Sequence, residues 1–233
     1  MSLSRFRTMS TDRSHGPLPV LLICLTVVTG LVDAVSYLGL GHVFVANMTG
    51  NVVFLGFGLA GAGQASIGAS LLAVLAFALG AAIGGRCGVG RIIHRGHLLA
   101  VATVVQAAFV LASAILVSVV GADSSAVRLT LIGLLAVAMG GQNAVVRRLA
   151  VPDLTTTVLT LTVTGLVADS TDRSVRLRRL LSVLAMLTGA LTGGVLVRWV
   201  ALATPLWLAA AILGGCAAGA YAGTRGSESE AWR

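Results

Sequence analysis

The 233-residue chain is 57% hydrophobic and only 10% charged, with a mean hydropathy of +0.97. Soluble domains carry about 25% charged residues, so this composition excludes an ordinary water-soluble globule and points to lipid. The formal charge of +8 rests on sixteen Arg and no Lys; they are spread between apolar runs, which argues for orientation signals and against a nucleic-acid surface.

The polar N-terminal tail, residues 1–16, carries Arg5, Arg7 and Arg13 and leads into an apolar run from Leu18 to Leu40. That run is longer than a signal-peptide core and meets no small-residue cleavage site, so it is expected to stay as the first span. Within it Thr26, Thr29, Gly30, Asp33, Ser36 and Tyr37 recur at three- and four-residue spacing and form one polar stripe. A carboxylate at the centre of a lipid-facing helix costs about 2.5–3.5 kcal/mol on insertion scales, so Asp33 should face the bundle. It either lines a solute, cation or proton path, or pins the first span to the segment that follows.

Further candidate spans lie at 67–90, 98–120, 127–147, 178–199 and 201–222, each near the roughly 20 residues a crossing needs. Two apolar stretches, 42–63 and 153–168, are rich in Asn, Thr or Gly at their centres. In the first, His42, Asn47, Thr49, Gly50 and Asn51 combine amides that donate and accept with a glycine suited to a sharp reversal. Irregular backbone at membrane depth survives only when buried in protein or lining a cavity. In the second, Thr156 and Thr160 belong to an alternating Thr run over 155–164, following the break at Pro152. Alternation predicts an unwound stretch; the other reading is a helix whose hydroxyls bond back to its own carbonyls.

The chain repeats. Leu71–Gly85 and Leu180–Gly194 agree at nine of fifteen positions, among them Gly80/Gly189 and Gly84/Gly193. Residues 25–35 align with 135–145, which sets Asp33 opposite Asn143, and 44–53 lies opposite 155–164. One membrane domain, 17–224, therefore divides into halves at 17–122 and 126–224, with a short tail at 225–233. Charge decides the number of crossings. If all eight stretches cross, ten Arg fall inside and six outside; if 42–63 and 153–168 are re-entrant, the split is fourteen to two. The positive-inside rule prefers the second arrangement: an all-α bundle of six crossings plus two re-entrant or broken segments, with both termini cytoplasmic. Three crossings per half then make the repeats inverted, a plan that sets functional sites at the repeat interface.

Gln106 and Gln142 are intramembrane amides suited to interhelical hydrogen bonds, and Gln142 with Asn143 joins the candidate pathway. The small-xxx-small glycine pairs suit close helix packing. Arg147, Arg148 and the Arg173–Arg179 cluster read as cytoplasmic anchors. Cys24, Cys87 and Cys216 show neither metal-ligand nor redox spacing. No nucleophile–base set, metal cluster or phosphate loop is visible, so neither an enzyme nor a cofactor is expected.

Over TGLVDAVSYLGLGHVFVANMTGN (29–51) and GGQNAVVRRL (140–149) the chain resembles the YoaK family, uncharacterised bacterial membrane proteins with a domain of unknown function. The resemblance covers nearly the whole chain and implies a shared membrane fold, without naming a substrate. Relatives carry Gly in a Thr-Gly-Thr-like core of the second segment, where this chain has Leu161. The expectation is a small-solute transporter or channel of the bacterial inner membrane; the alternative is a non-transporting scaffold or accessory subunit. Besides the lipid bilayer, a small solute and a second copy of the chain are the partners left open.

Overall fold

The computed structural model describes residues 18–62, 66–87, 95–149, 159–169 and 172–225. These residues form eight helices: α1 (Leu18–Gly39), α2 (Met48–Leu59), α3 (Ile67–Cys87), α4 (Arg95–Val120), α5 (Ser125–Leu149), α6 (Leu159–Ala168), α7 (Arg173–Trp199) and α8 (Thr204–Arg225). Six are long and apolar enough to cross a membrane. The 12 residues of α2 and the 10 of α6 rise about 18 and 15 Å at 1.5 Å per residue, roughly half of a 30 Å hydrocarbon core. The expected tails, 1–16 and most of 225–233, lie outside the described residues.

Glycines decide which helices meet. A Cβ on Gly80 of α3 would collide with the carbonyl of Val137 on α5, and one on Gly84 would lie 2.9 Å from the carbonyl of Gly141. On the other pair, Gly189 of α7 abuts the carbonyl of Val27 on α1, and Gly193 lies against Leu31. Facing them, Gly140 meets Phe77 and Gly30 meets Met186. Each contact thus has a counterpart with the halves exchanged, and the first helix of each half packs on the third helix of the other. Without a hydrophobic drive between helices in lipid, such close backbone approach is what dispersion can exploit. The remaining spans complete the bundle, α4 against α8, α4 against α5, and α8 against α1. Of the six, α1 is the most enclosed.

These contacts fix the direction of every helix. Gly39, ending α1, lies against Leu202 between α7 and α8, whereas Gly219 near the end of α8 faces Leu21 near the start of α1. Trp207 Nε1 donates to Ser118 Oγ at 3.1 Å, so α4 also ends at the face where α1 ends, here termed the upper face. Seven residues join α3 to α4, and four join α4 to α5. Hence α3 and α5 run downward, and α1, α4 and α7 upward. From mid-depth beside Phe77, α2 returns to the upper face where α3 begins. From the same depth, α6 runs to the lower face where α7 begins. The two half-helices therefore dip in from opposite faces and the eight-crossing alternative falls away. Arg86, Arg147, Arg148 and the Arg173–Arg179 cluster stand at the lower helix ends, while Arg128 and Arg198 stand at the upper.

Three local expectations need correction. The described part of the Thr-rich segment is helical, because Thr164 Oγ1 donates to the carbonyl of Thr160 at 2.9 Å and needs no outside partner. The reversal after α1 occurs at Gly41 and His42, with φ of 107° and 58°, while Gly50 sits in the first turn of α2 under the ring of Phe44. Finally, α7 starts at Arg173 rather than 178, since Arg is a good helix former that hydropathy alone discards.

Candidate functional site

The polar stripe of α1 is buried at Thr26, Thr29, Asp33 and Ser36. Three hydroxyls satisfy themselves on their own helix: Thr26 on Leu22 at 2.9 Å, Thr29 on Leu25 at 2.9 Å and Ser36 on Asp33 at 3.1 Å. Asp33 has no such local outlet. Its Oδ1 accepts the backbone N–H groups of Val45 at 3.0 Å and Ala46 at 2.9 Å, which draws the chain after α1 back down to the depth of Asp33. Its Oδ2 is buried and has no hydrogen-bond partner among the described residues.

The descending segment is held a second time by Asn51, which is wholly buried. Asn51 Oδ1 accepts the N–H of Phe44 at 2.9 Å, and its Nδ2 donates to the carbonyl of Phe44 at 2.6 Å. One amide thus satisfies both main-chain groups of a residue in irregular backbone at membrane depth, as burial there requires. Around it Tyr37 stacks on Phe44 at 5.0 Å, Phe44 stacks on Phe54 at 5.8 Å, and His42 meets Tyr37 edge-on at 5.2 Å.

Where the segment turns into α2, a cavity of about 710 Å³ opens. Asp33, Asn47, Thr49, Gly50, Thr160 and the apolar pair Phe77 and Met186 line it. Asn47 precedes α2 and makes no side-chain cap bond, so its side chain leaves the first-turn N–H groups of α2, at the positive end of the helix dipole, uncapped. Thr160, in the first turn of α6, brings the second half-helix by the same end to the same space. The walls come from both halves of the chain, with Phe77 and Met186 at equivalent positions of the repeat.

Five candidates from the sequence therefore converge: Asp33, Asn47, Thr49, Gly50 and Thr160. Thr29 and Gln142 join a different construction. Gln142 Nε2 donates to Thr29 Oγ1 at 3.3 Å and Gln142 Oε1 accepts from Gln106 Nε2, linking α1, α5 and α4. Asn143 donates to the carbonyl of Met139 at 2.8 Å. Tyr37, His42 and Asn51 brace the loop above the cavity without being among its wall residues. Thr156 lies outside the described residues. Phe77 and Met186 are apolar and carry no polar signal in the sequence, although the repeat alignment sets them opposite each other. Cys24 and Cys216, unrelated by spacing, are brought side by side by the packing of α1 on α8.

Comparison with known proteins accords with this architecture. The family described as "Protein of unknown function (DUF1275)" matches residues 21–219. The UPF0700 transmembrane protein YoaK of Bacillus subtilis (strain 168) is 34% identical over 157 residues, 65% of this chain and 66% of that relative. The matched region thus spans just under two thirds of the relative's own length. No solved structure matches.

Proposed function

The chain belongs to the DUF1275 family, and we propose that it is a small-solute transporter whose binding site is the cavity between its two halves. The observation that carries this reading is the meeting of two half-helices, entering from opposite faces, beside Asp33, whose buried Oδ2 has no partner among the described residues. Helices broken at the midplane and paired across an inverted repeat are a recurring way to bind solutes within a bilayer, and rocking of one half on the other would expose the site to each side in turn. The chemistry is binding rather than bond-making. The positive-inside rule supports a cytoplasmic lower face, and with it cytoplasmic N- and C-terminal ends in a bacterial inner membrane.

One observation favours the second reading, a scaffold or accessory subunit: Asn51, Thr29 and Gln142 spend their polar groups on internal bonds. Labelling separates the two. In a cysteine-free background, Asn47→Cys, Thr49→Cys and Thr160→Cys should react with small water-borne thiol reagents from one or both sides. If all three stay unlabelled in folded protein, the cavity is sealed and the scaffold reading prevails.

A further inference from the structure

The cavity wall carries two opposite poles side by side. One is Asp33, a wall residue only 4% exposed whose buried Oδ2 has no partner among the described residues. A buried carboxylate oxygen in this state calls for a donor or cation. The other pole is the first turn of α2, uncapped at Asn47, with the first turn of α6 facing the same space. Helix N-termini favour anionic groups. The poles are adjacent because Asp33 Oδ1 is bonded to Val45 and Ala46, which immediately precede Asn47.

This arrangement selects by charge pattern rather than by net charge. A simple anion reaching the α2 amides meets the Asp33 carboxylate. A simple cation held by Asp33 meets the positive ends of two helices. A molecule whose ammonium and carboxylate sit on neighbouring atoms satisfies both poles at once. We propose that the cavity binds a zwitterionic α-amino acid. Its ammonium group occupies the place opposite Asp33 Oδ2, and its carboxylate takes the first-turn N–H groups of α2 and the Thr49 hydroxyl. Phe54, Phe77 and Met186 supply apolar surface to an aliphatic side chain. This inference rests on the transporter reading of the same cavity.

The test uses the purified full-length protein in detergent and thermal melting with L-leucine, L-alanine, isoamylamine and 4-methylpentanoate. The last two are leucine without its carboxylate and without its amino group. One or both amino acids should raise the melting temperature with dose, and each single-charge analogue should act at least tenfold more weakly. Asp33→Asn keeps an acceptor for Val45 and Ala46 and Thr49→Val alters a residue on the cavity wall, so both should fold and bind the amino acid at least tenfold more weakly. An amine or carboxylate as effective as leucine overturns the proposal, as does the absence of any response to both amino acids. In that last case labelling of Asn47→Cys tells the failures apart. A labelled site leaves the transporter reading standing, and an unlabelled one removes it too.

Discussion

Replacing Gly80 by Ala tests the packing that holds the two halves together. Its added methyl would lie well inside 3.0 Å of the Val137 carbonyl, a backbone atom that cannot rotate away, so α3 and α5 must separate. Gly85, five residues on, has nothing within 4 Å of an added Cβ and provides a control on the same helix. Ala gains up to about 1 kcal/mol of helix propensity over Gly at either position, so that contribution cancels in the comparison. What remains is overpacking, about 1–3 kcal/mol. Denaturant titration in detergent, followed by circular dichroism, should rank Gly80→Ala below wild type and Gly85→Ala at or above it. Gly189→Ala, which meets Val27 across the equivalent pair, should cost as much as Gly80→Ala. Equal stability of Gly80→Ala and Gly85→Ala would refute the close crossing.

Asp33→Ala leaves the N–H groups of Val45 and Ala46 without their acceptor, at about 1–3 kcal/mol for each buried group left unsatisfied. Amide hydrogen exchange at 43–46 should accelerate in Asp33→Ala and much less in Asp33→Asn; equal exchange in both would show that Oδ1 does not hold the loop. Mild oxidation in membranes should join Cys24 to Cys216, two thiols giving one disulfide as the oxidant takes up two hydrogens. Peptide mass spectrometry should find that link; free thiols at both positions would contradict the packing of α1 on α8.

Much of this fold was legible in the sequence because hydropathy, charge and repetition each report on lipid. Apolar runs marked the spans, and Arg placement separated re-entrant segments from crossings. The repeat marked the glycines that carry the closest contacts. That Gly80 would meet Val137 of the other half, rather than a helix of its own, was not legible, since small-xxx-small patterns name a face and not its partner. The candidate site was read in part. The α1 stripe is buried, but so is every residue from Val28 to Ser36, and one stripe meets several neighbours, so Thr29 turns to Gln142 while Asp33 turns to the loop. The partners of Asp33 and Asn51 are main-chain groups of residues 44–46, whose side chains give no sign of them. The unwound reading of the Thr run failed at Thr160–Thr164 because a hydroxyl that bonds its own helix removes the conflict that alternation implied.

The central claim is that α2 and α6 dip in from opposite faces, and single cysteines beside each helix test it directly. Ala62 follows α2 and Asp172 follows α6. In a cysteine-free background, an impermeant maleimide on intact cells should label Ala62→Cys, and should label Asp172→Cys only after the membrane is permeabilised. Protection of both positions in intact cells, relieved together on permeabilisation, would mean that α2 and α6 cross, and the shared cavity would lose its basis.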